Sequence, residues 1–175
     1  LEGIGSGAVS NPVMDVLEAE VVLLIGANPV VNHPVAATWI KNAVKRGTKL
    51  ILADPRRSEL ARHAWRYLQF GADTDVALLN AMMHAIVEEG LVDRTFVASR
   101  TSGYDEIAKN VAAFSPEAMA DVCGIPAALQ QHKYAPILKD AKAGAHIDWA
   151  RVGIVGFILV LAIGRRRSPS SNSTT

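Results

Sequence analysis

Three polar stretches, each lying just beyond an apolar run, carry residue types suited to a phosphorylated or hydroxyl-rich ligand. Gly26-Ala27-Asn28-Pro29 follows "VVLLI", Asp54-Pro55-Arg56-Arg57 follows "KLILA", and Ala72-Asp73-Thr74-Asp75 comes after "WRYLQF". Asp54 falls 28 residues after Gly26, where a nucleotide-binding fold places the acid that takes its ribose. Either Arg56 or Arg57 suits a phosphate or ribose, and Thr74-Asp75 stands at a helix amino terminus, which is also an anion site. Each residue has a plainer reading. Asp54 before Pro55 starts a turn, the arginines are solvated charges, Asn28 makes a local turn bond, His33 braces its loop, and Thr74-Asp75 caps a helix. The first loop is not a dinucleotide fingerprint, because Pro29 and Pro34 stiffen it and the third glycine is missing. "GSGAVS" has two glycines but no strand before it.

Other chemistries find little support. A single cysteine, Cys123, excludes an intrachain disulfide or a cysteine-ligated metal or iron–sulfur site within these residues, and reads as a small buried hydrophobe. His63, His132 and His146 share no metal-ligand spacing, and no serine–histidine–acid or paired-carboxylate pattern is present. Eighteen basic against 17 acidic residues, a net charge of +1, leave no nucleic-acid footprint.

The elements that must position the polar loops read as α/β. The runs 21–25 and 50–53 are continuously apolar, as in strands covered on both faces of a parallel sheet. "HPVAATWIKNAVKRG" between them predicts a helix, with Pro34 in its first turn, a stripe of Val35, Trp39, Ile40 and Val44, and an end marked by Lys45, Arg46 and Gly47. The resulting βαβ unit implies a right-handed crossover. "SELARHA" predicts a short helix capped by Ser58, "WRYLQF" a third strand, and "DTDVALLNAMMHAIVEEG" a long helix closed by Gly90, its methionines in the core. "DRTFVASR", "GYDEIAKNVAAF" and "SPEAMADVCG" predict short helices, the last with Ser115 as cap and Pro116 at the first position. Three strands leave open edges, so further strands are expected. With 175 residues, opening on Leu1, the chain is expected to be a piece of a longer protein.

Residues 132–151 are basic and irregular and read as a linker, and 165–175 read as a disordered tail. Between them, residues 152–164 are apolar. Thirteen residues reach about 20 Å as a helix, against a hydrocarbon core of roughly 30 Å. Extension back to Ile147 brings the length near sufficient but includes Asp148 and Arg151, with Trp149 suited to an interface. A membrane anchor and a buried strand or helix are both open, and with them a cytoplasmic or a membrane-associated location.

Taken together, "GSGA..NP", "IGANP..NHP", "DPR", "DTDVALLN" and "FVASRT" resemble the catalytic subunit of molybdenum- or tungsten-dependent formate dehydrogenases, of the dimethyl sulfoxide reductase superfamily. The resemblance covers about residues 5–130 and fades beyond. It implies a Rossmann-like parallel sheet flanked by helices over residues 1–131, holding one guanosine end of bis(molybdopterin guanine dinucleotide). On the matching positions, Gly26, Asn28 and Pro29 form the first nucleotide loop, His33 and Pro34 finish it, Asp54, Pro55 and Arg56 hold the guanosine, and Thr74 and Asp75 complete the site. The family often has an acid at the position of Val31 and Pro-Gly at Ala72-Asp73.

The resemblance further implies a parent activity of formate oxidation to carbon dioxide, with two electrons leaving through iron–sulfur clusters to an electron-transfer subunit. The family's iron–sulfur cysteines and metal-ligating cysteine or selenocysteine precede the "GSGA" motif. This chain is therefore expected to be inactive alone. A nicotinamide-dinucleotide site and a membrane-tethered binding module without catalysis are the alternatives.

Overall fold

The computed structural model describes residues 12–127, 152–155 and 158–165. The "GSGAVS" stretch, the linker at 132–151 with His132 and His146, and the tail beyond Arg165 lie outside them. The core of the fold is a five-stranded sheet in the order β3-β2-β1-β5-β4. Strands β1 (Ala19–Ile25), β2 (Lys49–Ala53) and β3 (Arg66–Leu68) run parallel. Strands β4 (Val152–Val155) and β5 (Ile158–Arg165) form a hairpin that lies antiparallel against the other edge of β1.

Continuous apolarity in β1 and β2 does mark burial on both faces. Val22 and Leu24 of β1 and Leu50 and Leu52 of β2 point to one face, where they pack with Ile40, Ala43 and Leu60. Val21, Leu23, Ile25, Ile51 and Ala53 point to the other, against Leu78, Cys123 and Ile125. The period-2 alternation of a strand thus divides one apolar run between two cores. Helix α2 (Pro34–Lys45) covers the first face, and α3 (Asp75–Glu88) with α6 (Pro116–Cys123) covers the second. A one-turn helix α1 (Pro29–Asn32) precedes α2, and α4 (Arg94–Arg100) and α5 (Tyr104–Val111) link α3 to α6.

Several expectations are corrected. The stripe of α2 is made of Ala36, Ala37, Ile40 and Ala43, whereas Val35 is 68% exposed; three alanines let the helix axis approach the sheet, and Trp39 and Val44 pack only at the flank. The third strand is shorter than "WRYLQF". "SELARHA" forms a 3-10 turn at Glu59–His63, and Ser58 stands at its cap position without a side-chain cap bond. Met82 packs against the core, but Met83 is exposed. Residues 152–155 and 158–165 are strands, and Arg165 ends β5 rather than opening a tail. Among the described residues no helix is long and apolar enough to cross a membrane. The caps of α4 and α6 form at Asp93 and Ser115, whose oxygens accept the N–H groups of Phe96 and Ala118.

Candidate functional site

The ends of the three parallel strands form one row. Ile25 pairs with Ala53, and Ala53 pairs with Leu68. The three polar loops therefore leave the sheet side by side, at the edge where open parallel sheets bind ligands. Neighbouring strands are about 4.8 Å apart, so the row spans roughly 10 Å.

Gly26 turns the first loop. Its φ of +60° is left-handed, a conformation that costs other residues steric strain, while its N–H donates to the Ala53 carbonyl at 2.9 Å. Space is not what selects glycine, because a Cβ there would meet nothing within 4 Å. Asn28 then starts α1, its carbonyl accepting the N–H groups of Val31 and Asn32. Pro29 is fully buried at the first helical position, where its missing N–H is harmless. The Asn28 side-chain oxygen Oδ1 is buried and has no hydrogen-bond partner. A buried acceptor without a partner costs about 1–3 kcal/mol. His33 is exposed, and its carbonyl accepts the Ala37 N–H at 3.0 Å; it joins α1 to α2 through its backbone.

The second loop is fixed by Asp54. This carboxylate is only 3% exposed, and its Oδ1 accepts the Arg56 N–H at 2.7 Å. The turn reading and the ligand reading of Asp54 are thus compatible, since one of its two oxygens makes the turn. Its backbone N–H donates to Leu68, and its carbonyl accepts the Tyr67 hydroxyl at 3.0 Å. Gln69 donates its side-chain amide to the Pro55 carbonyl at 3.0 Å. Arg57 lies over the Tyr67 ring, its guanidinium carbon 5.5 Å from the centroid. Burial raises the pKa of Tyr67, the Asp54 charge pushes it the same way, and Arg57 opposes both.

The third loop is held from α6. The Gly71 N–H donates to the Cys123 carbonyl at 2.9 Å, and the Cys123 thiol contacts the Thr74 carbonyl at 3.8 Å. Thr74 does not cap α3 with its side chain; its hydroxyl donates backward to Gly71 at 2.7 Å. Asp73 takes a left-handed φ of +62°, the backbone form that glycine supplies most readily. Asp75 opens α3 and is exposed. Cys123 itself is buried, and that burial raises its thiol pKa, with the Thr74 contact opposing.

The structure therefore brings Gly26, Asn28, Pro29, Asp54, Pro55, Arg56, Thr74 and Asp75 to one edge, with His33 a turn of helix further on. Hydrogen bonds link the first loop to the end of β2, and the second loop to β3 and Gln69. Arg57 was already one of the two candidate arginines; Tyr67 and Gln69 are additions to the set expected from sequence. Their signal was slight: polar-tipped residues at alternate positions in the run that follows Asp54. Among the described residues no group of three or more His, Cys, Asp and Glu could hold a metal ion.

Fold and loops together define an α/β unit in which three parallel strands, β1, β2 and β3, present their polar loops at one carboxyl end. The family model "Molybdopterin oxidoreductase" matches residues 3–156. The chain belongs to that family, and the match continues past the expected limit near residue 130. It is 38% identical over 156 residues to "Formate dehydrogenase H" of Escherichia coli, covering 89% of this chain and 21% of that protein. It is also 38% identical over 124 residues to "F420-dependent formate dehydrogenase 1 subunit alpha" of Methanococcus maripaludis, covering 71% and 18%. Among solved structures, acetylene hydratase from Pelobacter acetylenicus superposes with a TM-score of 0.60 at 30% identity, over 68% of this chain and 18% of that one. The chain thus spans about a fifth of the length of these relatives.

Proposed function

We propose that the row of loops holds one guanosine end of a molybdopterin guanine dinucleotide cofactor, within the catalytic subunit of a formate dehydrogenase. The observation that carries this reading is the buried, unpartnered Oδ1 of Asn28 on the first of three loops aligned at one sheet edge. A buried acceptor is satisfied when a ligand donor reaches it, and a guanosine offers ribose hydroxyls and base N–H groups. Gly26 lets the backbone come close, Asp54 presents its second oxygen to a donor, and Arg56 or Arg57 meets the phosphates. Thr74 and Asp75 close the third side. When bound, the molybdenum or tungsten cofactor supplies the two-electron redox chemistry; the residues of this chain only hold and orient its nucleotide end.

Formate as the parent substrate rests on the names of the similar proteins, and the binding edge is not what sets it. A protein named acetylene hydratase shares this fold segment. In this reading the chain supplies a cofactor cradle, roughly residues 1–131, and is inactive without the rest of its subunit and its iron–sulfur partner. The test is a thermal melt of the chain with guanosine diphosphate and, separately, with NADP. A ligand at 100 times its Kd stabilises by about 2.7 kcal/mol, which gives a melting shift of several degrees. Stabilisation by guanosine diphosphate alone is expected. A shift with NADP and none with guanosine diphosphate would replace this reading with an ordinary dinucleotide site.

A further inference from the structure

We propose that Arg57, rather than Arg56, is the principal cation that the second loop turns toward a bound nucleotide's phosphates, and that Tyr67 is the residue that positions it. The inference rests on the guanosine-nucleotide reading of the site. Two arginines follow Pro55, and sequence alone treats them alike. The structure separates them. Arg56 enters the loop's bonding through its backbone N–H, donated to Asp54 Oδ1 at 2.7 Å; its side chain, like that of Arg57, is exposed, and among the described residues no aromatic ring lies against it. Arg57 has its guanidinium 5.5 Å from the centre of the Tyr67 ring, within the range of a cation–π contact.

Tyr67 is itself anchored. It sits in the middle of β3, and its hydroxyl donates to the Asp54 carbonyl at 3.0 Å. One aromatic side chain therefore ties the start of the loop by its hydroxyl and the side chain of Arg57 by its ring. A guanidinium resting on a ring keeps its in-plane N–H donors for other partners, and its planar fork matches phosphate oxygens. A contact of this kind at an exposed site favours one side-chain position by about two- to fivefold, which lowers the rotamer entropy the arginine loses on binding.

The electrostatics of the hydroxyl support the same arrangement. Burial is the main cause of the raised Tyr67 pKa; the Asp54 charge raises it further and the Arg57 charge opposes, so both charges lie near enough to act on one hydroxyl. A nucleotide is complementary to such a pair. Its sugar and base present donors to the carboxylate, and its phosphates present acceptors to the guanidinium.

The experiment is calorimetric titration of the full 175-residue chain with guanosine diphosphate and with guanosine, for wild type, Arg57→Gln, Arg56→Gln, Tyr67→Phe and Tyr67→Leu. One lost charged hydrogen bond corresponds to roughly a tenfold change in affinity. Arg57→Gln is expected to lower guanosine diphosphate affinity about that much and to narrow the preference over guanosine. Arg56→Gln should do so less. Tyr67→Leu, which removes the ring, should follow Arg57→Gln, while Tyr67→Phe, which keeps it, should stay nearer wild type. Melting curves of each variant separate these losses from unfolding. If the wild type binds guanosine diphosphate and Arg56→Gln carries the larger loss, or Tyr67→Leu leaves the preference intact, the inference is overturned and the guanosine reading stands. If the wild type binds neither ligand, both are wrong.

Discussion

The turn at Gly26 offers the sharpest check on how the first loop is built, because the structure separates conformational strain from steric clash there. Gly26 has φ +60°, and a Cβ added to it meets nothing within 4 Å. Substitution by alanine should therefore cost only the left-handed backbone, about 1–2 kcal/mol. Loss of glycine's extra freedom in the unfolded chain returns roughly 0.4–1 kcal/mol, so strain wins by a net cost of about 1 kcal/mol. For a domain of this size that lowers the melting temperature by roughly 3–5 °C. Asparagine, which tolerates this conformation, should cost less than alanine, and valine, branched at Cβ, should cost more. Urea unfolding of Gly26→Asn, Gly26→Ala and Gly26→Val gives the three values under one set of conditions. Equal stability of wild type and Gly26→Ala would refute the left-handed turn. A loss above about 3 kcal/mol for alanine would instead mean that side-chain space, which the structure shows open, controls the site.

Thr48→Val removes the buried hydrogen bond from the Thr48 hydroxyl to the Ala19 carbonyl at 2.8 Å at nearly constant volume, and should cost about 1–2 kcal/mol in the same urea assay; no loss would show that this tie between β1 and β2 is dispensable. Burial raises the Cys123 thiol above its ordinary value of 9.0, so the unfolded chain ionises first as pH rises past 9, and the folded state then holds more protons. Stability should fall with pH in that window, more steeply for wild type than for Cys123→Ala; parallel slopes between pH 8 and 10 would show that the thiol contributes nothing. Ending the chain at residue 156 removes β5 and bares the second edge of β1. Concentration-dependent self-association by light scattering is the expected result of such an open edge, and a stable monomer with an unchanged melting temperature would show that β5 does not protect it.

How much of this was legible in sequence depends on how local the information is. The runs before Gly26 and Asp54 named β1 and β2, because burial on both faces leaves nothing polar at either parity. Ser115-Pro116 named the start of α6 for an equally local reason, a cap oxygen followed by a residue that needs no N–H partner. Failures came where a neighbour far along the chain decides. Val35 fits a helical stripe, but the alanines at 36, 37 and 43 make the close contact and rotate Val35 outward. Pro29 looked like a stiffener of a loop and is the first residue of a single helical turn. Residues 152–164 have the apolarity of a short span or of a strand, and pairing decides: β5 lies along the edge of β1, more than a hundred positions earlier, and β4 pairs with β5. In the site, Asp54 was visible as an acid after a strand. Tyr67 was not, since its role comes from lying one strand away from Asp54 and beneath Arg57.

The way the loops are tied also suits a fold segment that is shared by proteins named for different reactions. Gly26 is held to Ala53, Asp54 to Leu68 and Gly71 to Cys123, in every case through backbone N–H and carbonyl groups. Backbone ties survive exchange of most side chains, which fits a fold segment that superposes on acetylene hydratase at 30% identity. Side chains matter here where a specific demand is visible: Gly26 for its φ and Asp54 for the carboxylate that serves the turn, while the unpartnered oxygen of Asn28 is a cost to the fold that a ligand donor would relieve. These are also the residues proposed to touch the nucleotide. In the proposed reading, backbone ties fix the row of loops, and Arg57 would set how strongly the phosphates are held from its place over Tyr67, a residue that also packs against the first core.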